Sequence, residues 1–265
     1  MRKIFLILLI FVCKFSFAQP TYHGSASTPA DNGTNTATTT AVTPPASMTT
    51  GDLVVIYAYQ RGTSTTFSIS ATGGQTWTSH LNHNSSTATL SGAVFYCTYN
   101  GTWGANPSVL FSAGTNTNVV MLVFRPTTSD VTWSPDNGSG SNDNTILSFS
   151  AASPIANGNG WVPSQDNTVS INIWSTDDDN TWGTLTGAGW VHVNSGQFRN
   201  TSGSDVSSAY AYLLQGTAAS VPSASLSQAT LGNDPGIKAM LVYKQVANIP
   251  YDHKGGFFKI IKRQK

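Results

Sequence analysis

Asp52-Leu53-Val54-Val55-Ile56-Tyr57-Ala58 and Asn167-Thr168-Val169-Ser170-Ile171-Asn172-Ile173 read as two versions of one strand, and the second decides the fold class. In it, Val169, Ile171 and Ile173 alternate with Ser170, Asn172 and Trp174, the period-two pattern of a strand with one face toward a core. Working outward, Gly73-Gly74-Gln75-Thr76-Trp77 is answered by Gly187-Ala188-Gly189-Trp190. Ala93-Val94-Phe95-Tyr96-Cys97 is answered by Ala209-Tyr210-Ala211-Tyr212-Leu213, and Met121-Leu122-Val123-Phe124 by Met240-Leu241-Val242-Tyr243. The steps are 115 (167 − 52), 113 (190 − 77), 116 (209 − 93) and 119 (240 − 121), in unchanged order. Four ordered matches at nearly constant spacing imply an internal repeat.

Composition points the same way. Of 265 residues, Ser (32), Thr (34), Asn (20) and Gly (24) make up about two-fifths. There is no Glu, and no Lys between Lys14 and Lys238. The residues that line exposed helix faces are missing, while Thr, Ser, Asn and Gly favour strands and turns, so a mostly helical protein is excluded. Disorder is excluded too, because 39% of residues are hydrophobic and 11% aromatic. The run 119–124 is continuously apolar, as in a central strand covered on both faces. The expected fold is an all-β, antiparallel, jelly-roll-like double-sheet sandwich built from two pseudo-repeats, residues 35–128 and 144–245. The Gly-, Asn- and Ser-rich stretch 135–144 joins them as a linker or surface loop, so tandem domains stand as the alternative to one sandwich.

Residues 1–18 read as a secretory signal peptide: Arg2 and Lys3, an apolar run over 4–12, then Ser16-Phe17-Ala18 before a cut at Gln19. The apolar run is far short of the roughly 20 residues a membrane span needs, so export to the cell surface or medium is expected, with no membrane span. With the signal removed, residues 19–251 carry five basic residues against eleven Asp, 5 − 11 = −6, and the tail 252–265 carries five against one, 5 − 1 = +4. An acidic body repels phosphate backbones, which disfavours nucleic acid as a partner. Cys97 alone survives cleavage, within an apolar strand, and reads as a small buried group rather than a thiol nucleophile.

Gly51-Asp52-Leu53-Val54-Val55, the Gly-rich approach to Trp77, the aromatic strand at 94–96 and Val120-Met121-Leu122-Val123-Phe124-Arg125 together resemble the β-sandwich proteins of phage tails and related secreted bacterial proteins. The resemblance covers most of residues 35–245. It implies a structural, adhesive or surface-binding role and brings no catalytic residues. The tail segment Gly256-Phe257-Phe258-Lys259-Ile260-Ile261-Lys262 resembles the last strand of bacterial type IX secretion signals. A frayed basic terminus is the simpler reading of it.

Chemistry-bearing patterns are sparse. Asp177-Asp178-Asp179 is the one acidic cluster, placed where the other half has Arg61-Gly62. A turn accounts for it, since Asp and Asn bond their own backbone there. A calcium site through Asp177, Asp179 and Asn180 is the second reading, as these supply hard oxygen ligands. His80 and His83, three apart on a strand, point to opposite faces and do not make a metal pair. The chain lacks a Gly-x-Ser-x-Gly elbow, a phosphate loop and a dinucleotide fingerprint. Trp77 and Trp190 match each other and read as core. Trp103, Trp133, Trp161 and Trp182 stand among Gly, Asn and Pro, the make-up of a platform on which a sugar ring stacks while polar neighbours take its hydroxyls, and Trp103, Trp133 and Trp182 are taken as the stacking surfaces. Capping of the sandwich ends is the other account of them. The expectation is a non-catalytic, exported binding module for a polysaccharide or cell-surface glycan. The alternatives are an Asp-dependent carbohydrate-active enzyme and a fibre component that self-assembles into homo-oligomers.

Overall fold

The computed structural model describes residues 18–248, apart from 63–65, 71, 85–89, 113–114, 137–144, 150–154, 158–159, 194–196, 204 and 229–233. The signal segment up to residue 17, most of the 135–144 connection, the His83 side chain and the basic tail lie outside the described residues. The first half holds β1 (Thr21–Thr28), β2 (Thr39–Ala41), β3 (Leu53–Arg61), β4 (Phe67–Ile69), β5 (Thr78–Asn84), β6 (Leu90–Thr98), β7 (Ser108–Phe111) and β8 (Thr117–Arg125). The second holds β9 (Val131–Pro135), β10 (Thr145–Phe149), β11 (Ile155–Asn157), β12 (Thr168–Thr176) and β13 (Val191–His192). It continues with β14 (Phe198–Asn200), β15 (Val206–Gln215), β16 (Ala224–Leu226) and β17 (Asp234–Ala247). The long strands are rich in Val, Ile, Tyr and Thr, which suit a pleated surface packed on both faces. Asn116 and Asn167, both at positive φ, stand immediately before β8 and before Thr168 of β12, where Asn tolerates the left-handed turn that feeds a strand. No described helix is long and apolar enough to cross a membrane.

The fold is all-β, and the named strands pair antiparallel, with one isolated parallel bridge between Gly33 and Asn200 among the described residues. One large sheet runs β1-β8-β3-β6-β5 and the other β10-β17-β12-β15-β13, with β9 on β17 and β14 on β15. Two small sheets, β2-β7-β4 and β11-β16, complete the set. Strands carrying matched sequence therefore take matched places. Their registers agree as well: Leu53 faces Thr98 and Phe124, while Val169 faces Leu214 and Tyr243. This sets Leu53 against Val169, a step of 116 (169 − 53), and corrects the pairing of Asp52 with Asn167 read from sequence. A one-residue slip matters, because it turns every side chain to the other face.

Alternation sorts the side chains into layers. Leu53, Val55, Tyr57 and Tyr59 join Val169, Ile171, Ile173 and Tyr210 in a central core between the large sheets. Val54, Ile56 and Ala58 face the other way, under Val109 and Phe111 of β7. Trp174, Ala209 and Val242 do the same beneath Leu226 of β16, with Trp161, Trp182 and Trp190. The expected two-sheet sandwich is thus the centre of a four-layer stack. Ser170 and Asn172, read as the wet face of β12, are fully buried beneath that outer cover.

The central layer is tyrosine-rich. Seven of the nine Tyr border it, and the hydroxyls of Tyr57, Tyr59, Tyr210 and Tyr243 find partners there. Tyr57 meets Ser175 at 2.9 Å, Tyr59 donates to the Phe198 carbonyl at 2.9 Å, and Tyr243 meets His80 Nδ1 at 2.7 Å. Burial pushes the phenols of Tyr57, Tyr59, Tyr210 and Tyr243 far up, so they remain neutral donors. Each buried ring contributes area, and the satisfied hydroxyl avoids the cost of a lone buried polar group.

Candidate functional site

The three tryptophans read as stacking surfaces take different places. Trp133 lies on β9, is 4% exposed, and donates Nε1 to the Gly51 carbonyl at 2.9 Å. Trp182 is 7% exposed and donates to Ser207 Oγ at 3.1 Å. Both are core anchors, and the expectation that they face a ligand is corrected: each indole N–H has a protein acceptor and each ring a packed neighbour. Trp103 alone of the three is half-buried, on the loop between β6 and β7.

That loop is held from below. Trp103 Nε1 and the Asn100 amide both donate to Gln75 Oε1 at 3.0 Å, and Gln75 Nε2 donates to the Thr98 carbonyl at 3.0 Å. Gly73, at φ 56°, lets the loop come close; a Cβ there would stand 2.2 Å from the Thr102 carbonyl oxygen. Thr102 Oγ1 then donates to the Gly73 carbonyl at 2.8 Å. The indole packs edge-on to Tyr99 at 4.9 Å between centroids and tilted against Trp77 at 5.5 Å.

A second loop, before β3, faces it with Pro44, Pro45 and Met48. It is pinned from outside: His23 Nε2 meets the Ala46 carbonyl at 2.8 Å, and Arg125 Nη2 donates to the Ser47 carbonyl at 3.0 Å. Arg125 is fixed in turn by fully buried Asp52, Nε to Oδ1 at 3.2 Å. Between the loops lies an open slot of about 320 Å³. Pro44, Pro45, Met48, Tyr99 and Trp103 line it, with Ser47 and Asn106 as its polar members. No charged side chain lines it. Most of the surface exposed in the slot is polar, with a smaller apolar share, which suits a small ligand rich in hydrogen-bonding groups, and fixed walls reduce the ordering cost of binding.

The second half treats the same place differently. Gly101-Thr102-Trp103 with Pro107-Ser108 reads against Gly216-Thr217-Ala218 with Pro222-Ser223, a step of 115 (216 − 101), which brings Val109 onto Ala224 in the small sheets. Ala218 stands where Trp103 does. On the facing loop the large residue is Trp161, 8% exposed and packed into the outer core. There the backbones zip together: Gly160 donates to Val221 at 3.0 Å, and Val221 to Trp161 at 2.7 Å. In the first half Val42 donates to Pro107 at 3.1 Å, and the next position in phase, Pro44, has no N–H to offer. Asn106 and Thr43 are joined instead through side chains, at 3.0 Å. Sequence reasoning named Trp103 and missed Pro44, Pro45, Met48 and Tyr99; setting Trp103 against Ala218 was the available signal.

The acidic run also rearranges. Asp177 is nearly buried and turned to Arg61, whose Nη1 donates to its carbonyl at 2.6 Å while Nη2 stands 3.9 Å from its carboxylate. Asn180 donates to Asp234 Oδ2 at 2.8 Å. Of the expected set Asp177, Asp179 and Asn180, only Asp179 keeps company with other ligands: Asp178, Asp179 and Asp205 bring one oxygen each within 4.8 Å of one another. Burial, then the neighbouring Asp179, raises the Asp205 pKa. Three carboxylates supply part of the six to eight oxygens that calcium takes. His80 serves the core through Tyr243, and burial pushes the Cys97 thiol far up, leaving it inert. No protein-family model, curated protein or solved structure matches this chain.

Proposed function

We propose that the chain is an exported, non-catalytic β-sandwich that binds a polysaccharide or cell-surface glycan through the slot at Trp103. One observation carries the reading: a half-buried indole, anchored through Gln75 and braced by Tyr99, lines an open slot opposite Pro44, Pro45 and Met48. Aromatic platforms with polar neighbours bind the apolar faces of sugars while leaving their hydroxyls to hydrogen-bond. A glycan array probed with residues 19–265 tests it. Binding that is lost in Trp103→Ala and kept in Trp161→Phe is the expected result. Binding unaffected by Trp103→Ala assigns the ligand elsewhere and overturns the site.

The enzyme reading draws on the raised pKa of Asp205 beside Asp178 and Asp179. It expects reducing-sugar release that Asp205→Asn abolishes. The binding reading expects no release from any array ligand.

A further inference from the structure

We infer that the sealed second half binds an ordered water molecule beneath its outer cover, held by Thr168 Oγ1, Ser170 Oγ and Gln215 Oε1.

Register brings these three groups together. Thr168 stands opposite Gln215, and Ser170, two residues on along β12, stands opposite Leu213 and Val242. Residues two apart on a strand, and partners directly opposite one another, share a face. Leu213 and Val242 pack into the outer core with Trp161, so this face of β12 lies under the cover. Thr168 and Ser170 are fully buried. Among the described residues none bonds Thr168 Oγ1, Ser170 Oγ or Gln215 Oε1, although all three atoms are shut off from solvent. The other end of the Gln215 amide is fixed, with Nε2 donating to the Ala219 carbonyl at 2.9 Å, so the atom left unmet is the acceptor. Lys244, also opposite Thr168, is committed to Asp136 at 3.4 Å and to Ser164 at 3.0 Å.

The first half fills the matching place differently. The register step of 116 sets Asp52 against Thr168 (168 − 52), Val54 against Ser170 (170 − 54) and Tyr99 against Gln215 (215 − 99). Val54 packs in the first outer core, and the Asp52 carboxylate accepts from the Thr49 amide at 2.8 Å and from Arg125. Ser170 and Gln215 are smaller than the residues they match, and they bring oxygen atoms that the protein does not meet.

An unpaired buried polar group is costly, and protein interiors meet such groups with water that makes about three hydrogen bonds. Here the water donates to Gln215 Oε1, which can only accept, and shares its other bonds with two hydroxyls that can each donate or accept. A cation is disfavoured, because three neutral oxygens would not replace its hydration shell.

A crystal structure of residues 19–265 that resolves ordered solvent tests the site. A solvent peak within about 3.2 Å of at least two of the three oxygens is expected. No peak there overturns the site, and contacts near about 2.4 Å would assign a cation in place of water. Water relaxation dispersion gives a second reading in solution. The pair Thr168→Val and Ser170→Ala removes both hydroxyls without adding bulk. It is expected to lose one long-lived water relative to the native chain, with unchanged circular dichroism. An unchanged water count in the folded pair variant overturns the assignment, and if the pair fails to fold the native crystal decides.

Discussion

The two halves share strand order and register, yet their outer covers end differently. Over the first large sheet the cover ladder stops at Pro107 and leaves Trp103 at the edge of a slot. Over the second it runs on to Val221, and Trp161 is folded into the core. By register Thr43 stands against Gly160 and Pro44 against Trp161, and the loop across from them carries Trp103 where the second half has Ala218. Matched strands thus tolerate an open or a sealed loop end, and among the described residues the open end leaves the Trp103 indole at the edge of a slot.

The largest contrast is expected in stability. Trp133→Ala and Trp182→Ala each remove a buried ring and its hydrogen bond, and should cost about 3–5 kcal/mol in denaturant unfolding. Trp103→Ala, at a half-buried site, should cost less, about 1 kcal/mol. Equal losses would dissolve the distinction between anchor and platform.

Two ion pairs sharpen the comparison. Arg125 near the end of β8 holds buried Asp52, and Lys244 near the end of β17 holds buried Asp136 at 3.4 Å, at positions that match by the same step of 119 (244 − 125). Arg125→Met and Lys244→Met should each cost about 2 kcal/mol, between the values for exposed and buried pairs. Only Arg125→Met should also weaken ligand binding, because Arg125 positions the Ser47 carbonyl at the slot. Equal effects of the two on binding would break that assignment.

Amide exchange should separate the loop ends without mutation. Gly160 and Val221 donate in the zipped ladder and should exchange about tenfold or more slowly than Asn106. The smallest effect concerns pH. The raised Asp205 pKa means that ionisation is harder in the folded chain than in the unfolded one. Its contribution is fully present below the unfolded carboxylate value of about 4 and is lost as pH rises through the raised folded value. Asp205→Asn should therefore raise Tm slightly at neutral pH, and the gain should vanish in acid. A gain independent of pH would assign it to packing instead.

Much of this was legible in sequence, for definite reasons. Alternation at Val169, Ile171 and Ile173 marked a strand and gave its phase. Residues 53–58 are apolar on both faces, so periodicity there carries no phase, and the match to β12 slipped by one residue. Ser170 and Asn172 read as a wet face because polarity was the only cue, whereas the cover carrying Trp161 and Trp190 buries them. Trp133 was misread from the Pro, Asn and Gly that follow it, although Val131-Thr132-Trp133 already alternates as β9 does. The acidic run failed differently: sequence neighbours were taken as ligands, while β12 delivers Asp177 to Arg61 and the start of β15 brings up Asp205. The slot itself is made by two loops more than fifty residues apart, a juxtaposition that only the paired sheets create.

The most direct measurement is the set of indole N–H signals of the seven Trp, followed by NMR while a glycan captured on the array is added. A shift confined to Trp103 and its ring neighbour Trp77, with Trp133, Trp161, Trp182 and Trp190 unmoved, is the result expected of an open first half and a sealed second half. A shift at Trp161 or Trp182 with Trp103 unmoved would contradict it.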